Sequence, residues 1–94
     1  MARVVWSRVA RDDLKGIISY IRTDAPAYAR SFALRLNQRL TQLETFPESG
    51  RLVPEDPTET YRELIFGDYR VVYRHSGGTV TIVTVIHGAR ILRL

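Results

Sequence analysis

Residues 61–90, YRELIFGDYRVVYRHSGGTVTIVTVIHGAR, decide the fold. Apolar side chains recur at every second position in three runs, YRELIF, YRVVYRH and TVTIVTVIH, separated by Gly67-Asp68 and by Ser76-Gly77-Gly78. Period-two runs joined by such short turns make two consecutive hairpins, hence a β-meander. The last run is apolar on nearly both sides, with Val80, Ile82 and Ile86 on one and Val83 and Val85 on the other. That predicts a central strand covered on both faces. Within YRVVYRH, alternation sends Tyr69, Val71 and Tyr73 to one side and Arg70, Val72 and Arg74 to the other. Arg62 goes with Leu64 and Phe66, and the register between the two strands decides which face of the neighbour they join.

Upstream, Arg3-Val4-Val5-Trp6 is a short β-prone run, and Ser7 stands at a good N-cap position for a following helix. Ala10, Leu14, Ile17, Ile18 and Ile21 form one apolar stripe at helical spacing. Asp24-Ala25-Pro26 ends this helix, and Pro26 suits the first turn of a second one. There, Ala29, Ala33, Leu36, Leu40 and Leu43 alternate steps of four and three, the pattern of a helix packed along a neighbour. Phe46-Pro47-Glu48-Ser49-Gly50 stops it, and Pro54, Glu55, Asp56, Pro57 and Glu59 make the stretch to Thr60 a loop or an ordered meander. The expected architecture is therefore α+β, in the order β-α-α-β-β-β. A helical hairpin lies on one face of a small, mainly antiparallel sheet, in a single domain over residues 1–94.

Hydrophobic residues make up 45% of the chain and charged residues 26%, the balance of a globular protein. No cysteine is present, which rules out a disulfide framework and a thiolate nucleophile and fits a reducing compartment. The start, MARVVWSRVARDD, lacks the apolar core of a secretory signal, and no run nears the roughly 20 apolar residues of a membrane span. A cytoplasmic protein without a membrane partner is expected. Net charge is +4, and among 14 basic residues only Lys15 is a lysine. Arginine's planar fork grips carboxylates and phosphates in pairs of hydrogen bonds, where lysine offers a point charge. An acidic partner, nucleic acid or protein, follows from the charge.

The candidate site is a basic face of Arg62, Arg70, Arg74 and Arg90, able to hold phosphate oxygens or the carboxylates of an acidic peptide. The competing interpretation is a solvated sheet face with cross-strand ion pairs, for instance to Glu63. His87, before Gly88 at the end of the last run, has the chemistry of an acid, a base or a hydrogen-bond donor. His75 precedes a glycine turn and is expected to face solvent. Two distant histidines without cysteine or converging carboxylates give no metal site, and the glycines form no phosphate loop, so neither metal nor cofactor is expected. Trp6, Tyr20, Tyr28, Phe32 and Phe46 are read mostly as core, with an apolar patch left over for a partner.

The segments VVWSRVARDDLKGIISYI, LETFPESGRLVPE, YRELIFGDYRVVYR and VTVIHGAR together resemble the RelE/ParE superfamily of type II toxin–antitoxin toxins. The FP-x-x-GR phrase and the closing V-I-H-G-x-R point to the ParE-like branch. The resemblance implies a plasmid-stabilization type of module. Its toxin would inhibit DNA gyrase by binding and be neutralised, as a hetero-oligomer, by a ParD/RelB-like antitoxin with an acidic C-terminal segment. The alternative it carries is a RelE-like, ribosome-dependent mRNA endoribonuclease. Arg70 and Arg90 would then sit on the scissile phosphate and His87 would donate the proton. Arg62 and Glu63 stand where that branch has lysines, and the tail Ile91-Leu92-Arg93-Leu94 offers no tyrosine or histidine for proton transfer. A missing acid or base forfeits a factor of about 10² to 10⁴ in rate.

Overall fold

The computed structural model describes residues 1–93; Leu94, the last residue of the tail read above, lies outside them. Ser7 caps the first helix as its position implies, its hydroxyl accepting the Ala10 N–H at 3.0 Å while donating to the Val83 carbonyl. Strand β1 (Arg3–Trp6) thus leads into α1 (Arg8–Asp24), and Pro26 opens α2 (Pro26–Leu40). A single turn, α3 (Gln42–Thr45), follows. The meander then comes as β3 (Arg62–Phe66), β4 (Tyr69–Ser76) and β5 (Thr79–His87), preceded by a two-residue strand β2 (Arg51–Leu52) inside the segment expected to be irregular.

The sheet has five strands in the order β1-β5-β4-β3-β2, antiparallel except for the parallel pair of β1 and β5. Beta5 is therefore interior beside β1 and β4, and the α+β expectation holds with one strand and one helical turn added. Gly77 and Gly78 adopt positive φ, 58° and 77°, as the two-residue connection from β4 to β5 demands.

The main core lies between the helical hairpin and one sheet face. Phe32, Leu36 and Leu40 of α2 and Ala10 of α1 meet Leu64, Val71, Tyr73, Val80, Ile82 and Val85, and the α1 stripe packs around them. Phe32 sits edge-to-face with both Phe66 and Tyr69. A smaller cluster of Val53, Val72 and Leu92, with Tyr61 and Ile86 against it, covers the other face.

Two expectations need correction. Val72 pairs with Thr84 but Tyr73 pairs with Ile82, so Val83 is an extra residue in β5 and a β-bulge reverses the alternation beyond it. Val85 consequently joins Val80 and Ile82 in the main core, and Ile86 turns to the second cluster. Of the aromatic residues assigned to the core, Phe32 is buried and Trp6 packs against it, whereas Tyr20, Tyr28 and Phe46 are exposed. Tyr28 instead carries the Arg35 guanidinium over its ring at 4.9 Å.

Candidate functional site

The four arginines do not share one face. Arg62 pairs with Tyr73, which fixes its side chain on the helix side of the sheet. There its Nη1 donates to the Gly50 carbonyl at 2.9 Å and to the Glu48 carbonyl at 3.2 Å, closing the loop that follows α3. Arg70 and Arg74 project from the opposite face, opposite Ile86 and Thr81 of β5. Arg74 is exposed, as is Arg90 beyond the end of β5.

Arg70 is only 6% exposed and its guanidinium is taken by carboxylates. Nε donates to Glu63 at 2.7 Å, while Nη1 and Nη2 grip Glu55 bidentately at 2.7 and 2.6 Å. Glu63 has a side chain 0% exposed and also accepts from Arg51 Nε of β2. Glu55 reaches one step further, accepting the Leu92 N–H at 3.0 Å. The chain Arg51–Glu63–Arg70–Glu55–Leu92 thus ties three strands, the loop and the C-terminal tail together beneath the second face. Neither Glu55 nor Arg51 was singled out from the sequence.

Arg70 is the first reason, and the Leu92 N–H the second, that the Glu55 carboxyl is held at about 2 instead of the ordinary 4.5. The same carboxylate, followed by Glu63, pushes Arg70 further above its already high range. Since the folded value of Glu55 is depressed, its contribution is complete above about pH 4.5 and is lost as pH falls toward about 2. The protection factor of the Leu92 amide, its exchange rate taken relative to that of an unstructured amide at the same pH, is therefore expected to hold above about pH 4.5 and to fall as pH approaches about 2. Glu55→Gln should weaken protection at neutral pH and flatten that dependence.

His87 stands apart from this network. It pairs with Tyr69, so it lies on the helix side, its ring edge-to-face with Tyr69 at 5.7 Å. Its Nδ1 accepts the Ala89 N–H at 3.1 Å, which leaves Nε2 as the donor when the ring is neutral. Arg70 and His87 are thus on opposite sides of the sheet, and they do not converge on one reacting atom. His75 is partly buried beside Glu48, 3.3 Å away. Among the described residues no three His, Asp or Glu side chains gather as metal ligands would, and no helix is long and apolar enough to cross a membrane.

Other cations that reach solvent on or beside the second face include Arg3, whose partner Thr79 lies in the row of Arg74, and Arg51, Arg74, Arg90 and Arg93. What they can do is bind: exposed guanidinium groups around an apolar floor suit an anionic macromolecule.

The fold is shared with solved structures. A chain of the chromosomal ParDE TA system from P. aeruginosa superposes with a TM-score of 0.80 at 21% identity, over 93% of this chain and 96% of that one. A chain of the RelBE2 toxin–antitoxin complex from Mycobacterium tuberculosis gives 0.60 at 22% identity, over 92% and 96%. No curated protein matches the sequence. The model of the ParE toxins of type II toxin–antitoxin systems, parDE, matches residues 4–92, from the first strand through the tail that Glu55 anchors, and the chain belongs to that family.

Proposed function

We propose that this ParE-type toxin acts in the cytoplasm by binding, with DNA gyrase as its target, and that an antitoxin with an acidic C-terminal segment neutralises it. The observation that carries the reading is the state of Arg70. A guanidinium with Nε, Nη1 and Nη2 each engaged by Glu63 or Glu55, on the far side of the sheet from His87, is poorly placed to stabilise a phosphorane beside a proton donor. This weighs against the RelE-like alternative, in which Arg70, Arg90 and His87 share one phosphate. A net charge of +4 favours an acidic partner, and both structural neighbours are described as toxin–antitoxin systems or complexes.

The test is supercoiling by purified gyrase with and without the protein, run beside message cleavage on ribosomes. Inhibited supercoiling with accumulation of cleaved DNA, and intact message, is the expected result. Unaffected gyrase together with cleaved message would replace this reading by the endoribonuclease one.

A further inference from the structure

We propose that the groove between the C-terminal tail, the bulged end of β5 and the first turn of α1 is the docking site for the antitoxin's acidic segment, through interleaved carboxylates and apolar side chains. The inference rests on the toxin–antitoxin reading above and adds the place and the mode of binding.

The groove encloses about 520 Å³, floored by Ile86 and Leu92 and flanked by Val9, Ile91, Arg90 and Arg93, with no acidic side chain among its described lining residues. Ile91 is 77% exposed and Val9 59%, which leaves large apolar groups in water on both banks of the groove. A segment bearing both carboxylates and apolar groups matches this lining, because the guanidinium groups can pair at the rim while apolar side chains displace water from the floor. The neighbouring groove along α1 also includes Arg90 but has Asp12 and Asp13 in its wall, and these would repel an acidic segment.

The backbone narrows the mode further. Beta1 pairs with β5 only from Thr79 to Ile82, so the rest of β5 is a sheet edge. Two backbone groups of that edge are already taken by side chains, since Ser7 Oγ donates to the Val83 carbonyl and Asp13 accepts the Val85 N–H together with the Thr84 hydroxyl. An incoming chain cannot add there as a further strand without displacing them, so recognition falls to side chains. The tail wall is also fixed in advance, since Leu92 is buried against Val53 and Val72 and its N–H is held by Glu55. A preformed wall reduces the ordering cost of binding.

The experiment measures the affinity of the full-length polypeptide encoded beside this gene for the intact chain and three variants. Val9→Asp with Ile91→Asp, and separately Arg90→Glu with Arg93→Glu, should each weaken binding by about tenfold or more. The second pair should also flatten the salt dependence. Leu34→Asp, an equally exposed apolar position on α2, should leave affinity within about twofold. All five side chains are exposed, so unchanged melting temperatures should accompany these results. Unaltered affinity in both double variants, or a loss confined to Leu34→Asp, overturns the groove while leaving the antitoxin reading intact. Failure of the unmodified chain to bind that polypeptide removes both.

Discussion

Replacing Arg70 by alanine is expected to cost about 3–5 kcal/mol of folding stability, the usual consequence of leaving a buried charge without its partner. Glu63 decides the size of the loss. Its carboxylate is 0% exposed, and without Arg70 it keeps only Arg51, whose side chain is 60% exposed and free to swing into water. Glu55 matters less, because its side chain is 26% exposed and water can solvate it once the fork has gone. For a domain of this length, such a loss takes a large share of a total of about 5–15 kcal/mol. Urea unfolding measures it directly. Arg70→Met combined with Glu63→Leu removes both charges and should recover most of the stability, since apolar replacements of a buried pair are often neutral. A loss below about 1 kcal/mol for Arg70→Ala would instead describe a solvated surface arginine. The same number governs any toxicity assay: reduced activity of Arg70→Ala bears on a phosphate contact only after correction for the folded fraction.

The elements themselves were legible because local chemistry and tertiary packing agree. Ser7, Pro26 and the glycine pair each stand where a cap, a helix start and a turn require them. The candidate site was less legible, for two physical reasons. Beta-bulges leave no mark in a run such as TVTIVTVIH, where both faces are apolar, so the exchange of Val85 and Ile86 could not be read. The face of Arg62 could have been. A two-residue connection at Gly67-Asp68 makes Phe66 oppose Tyr69, which carries Arg62 to Tyr73 and Ile65 to Arg70. It also places Glu63 in the row of Arg70, so the cross-strand ion pair set against the open basic face is present, buried where a solvated one was pictured. The contribution of Glu55 comes from a loop whose path depends on Asp56, which accepts the N–H groups of Thr58, Thr60 and Tyr61, and no periodicity reports such a path.

Gly50→Ala is the second substitution with a large expected effect, about 3 kcal/mol at the upper end of overpacking costs. A Cβ at Gly50 would come within 2.7 Å of both the Glu63 carbonyl oxygen and the Tyr73 hydroxyl, and within 2.8 Å of the tyrosine ring. Neither neighbour yields readily: one is strand backbone, and the other is a side chain 0% exposed in the main core. The glycine of the FP-x-x-GR phrase is therefore required by close approach. Its N–H donates to the Tyr73 hydroxyl at 2.9 Å, and burial raises the tyrosine pKa while that N–H draws it back. Tyr73→Phe alone should cost about 1–3 kcal/mol by leaving the Gly50 N–H unpaired in the interior. The two changes should not add. Deleting the hydroxyl removes one of the two closest obstructions to the alanine methyl, so the double variant should be more stable than the sum of the single losses predicts, by about 0.5 kcal/mol or more. Strict additivity in urea unfolding would mean that the methyl is relieved by movement of β3 alone, and that the tyrosine and the glycine do not act as a unit.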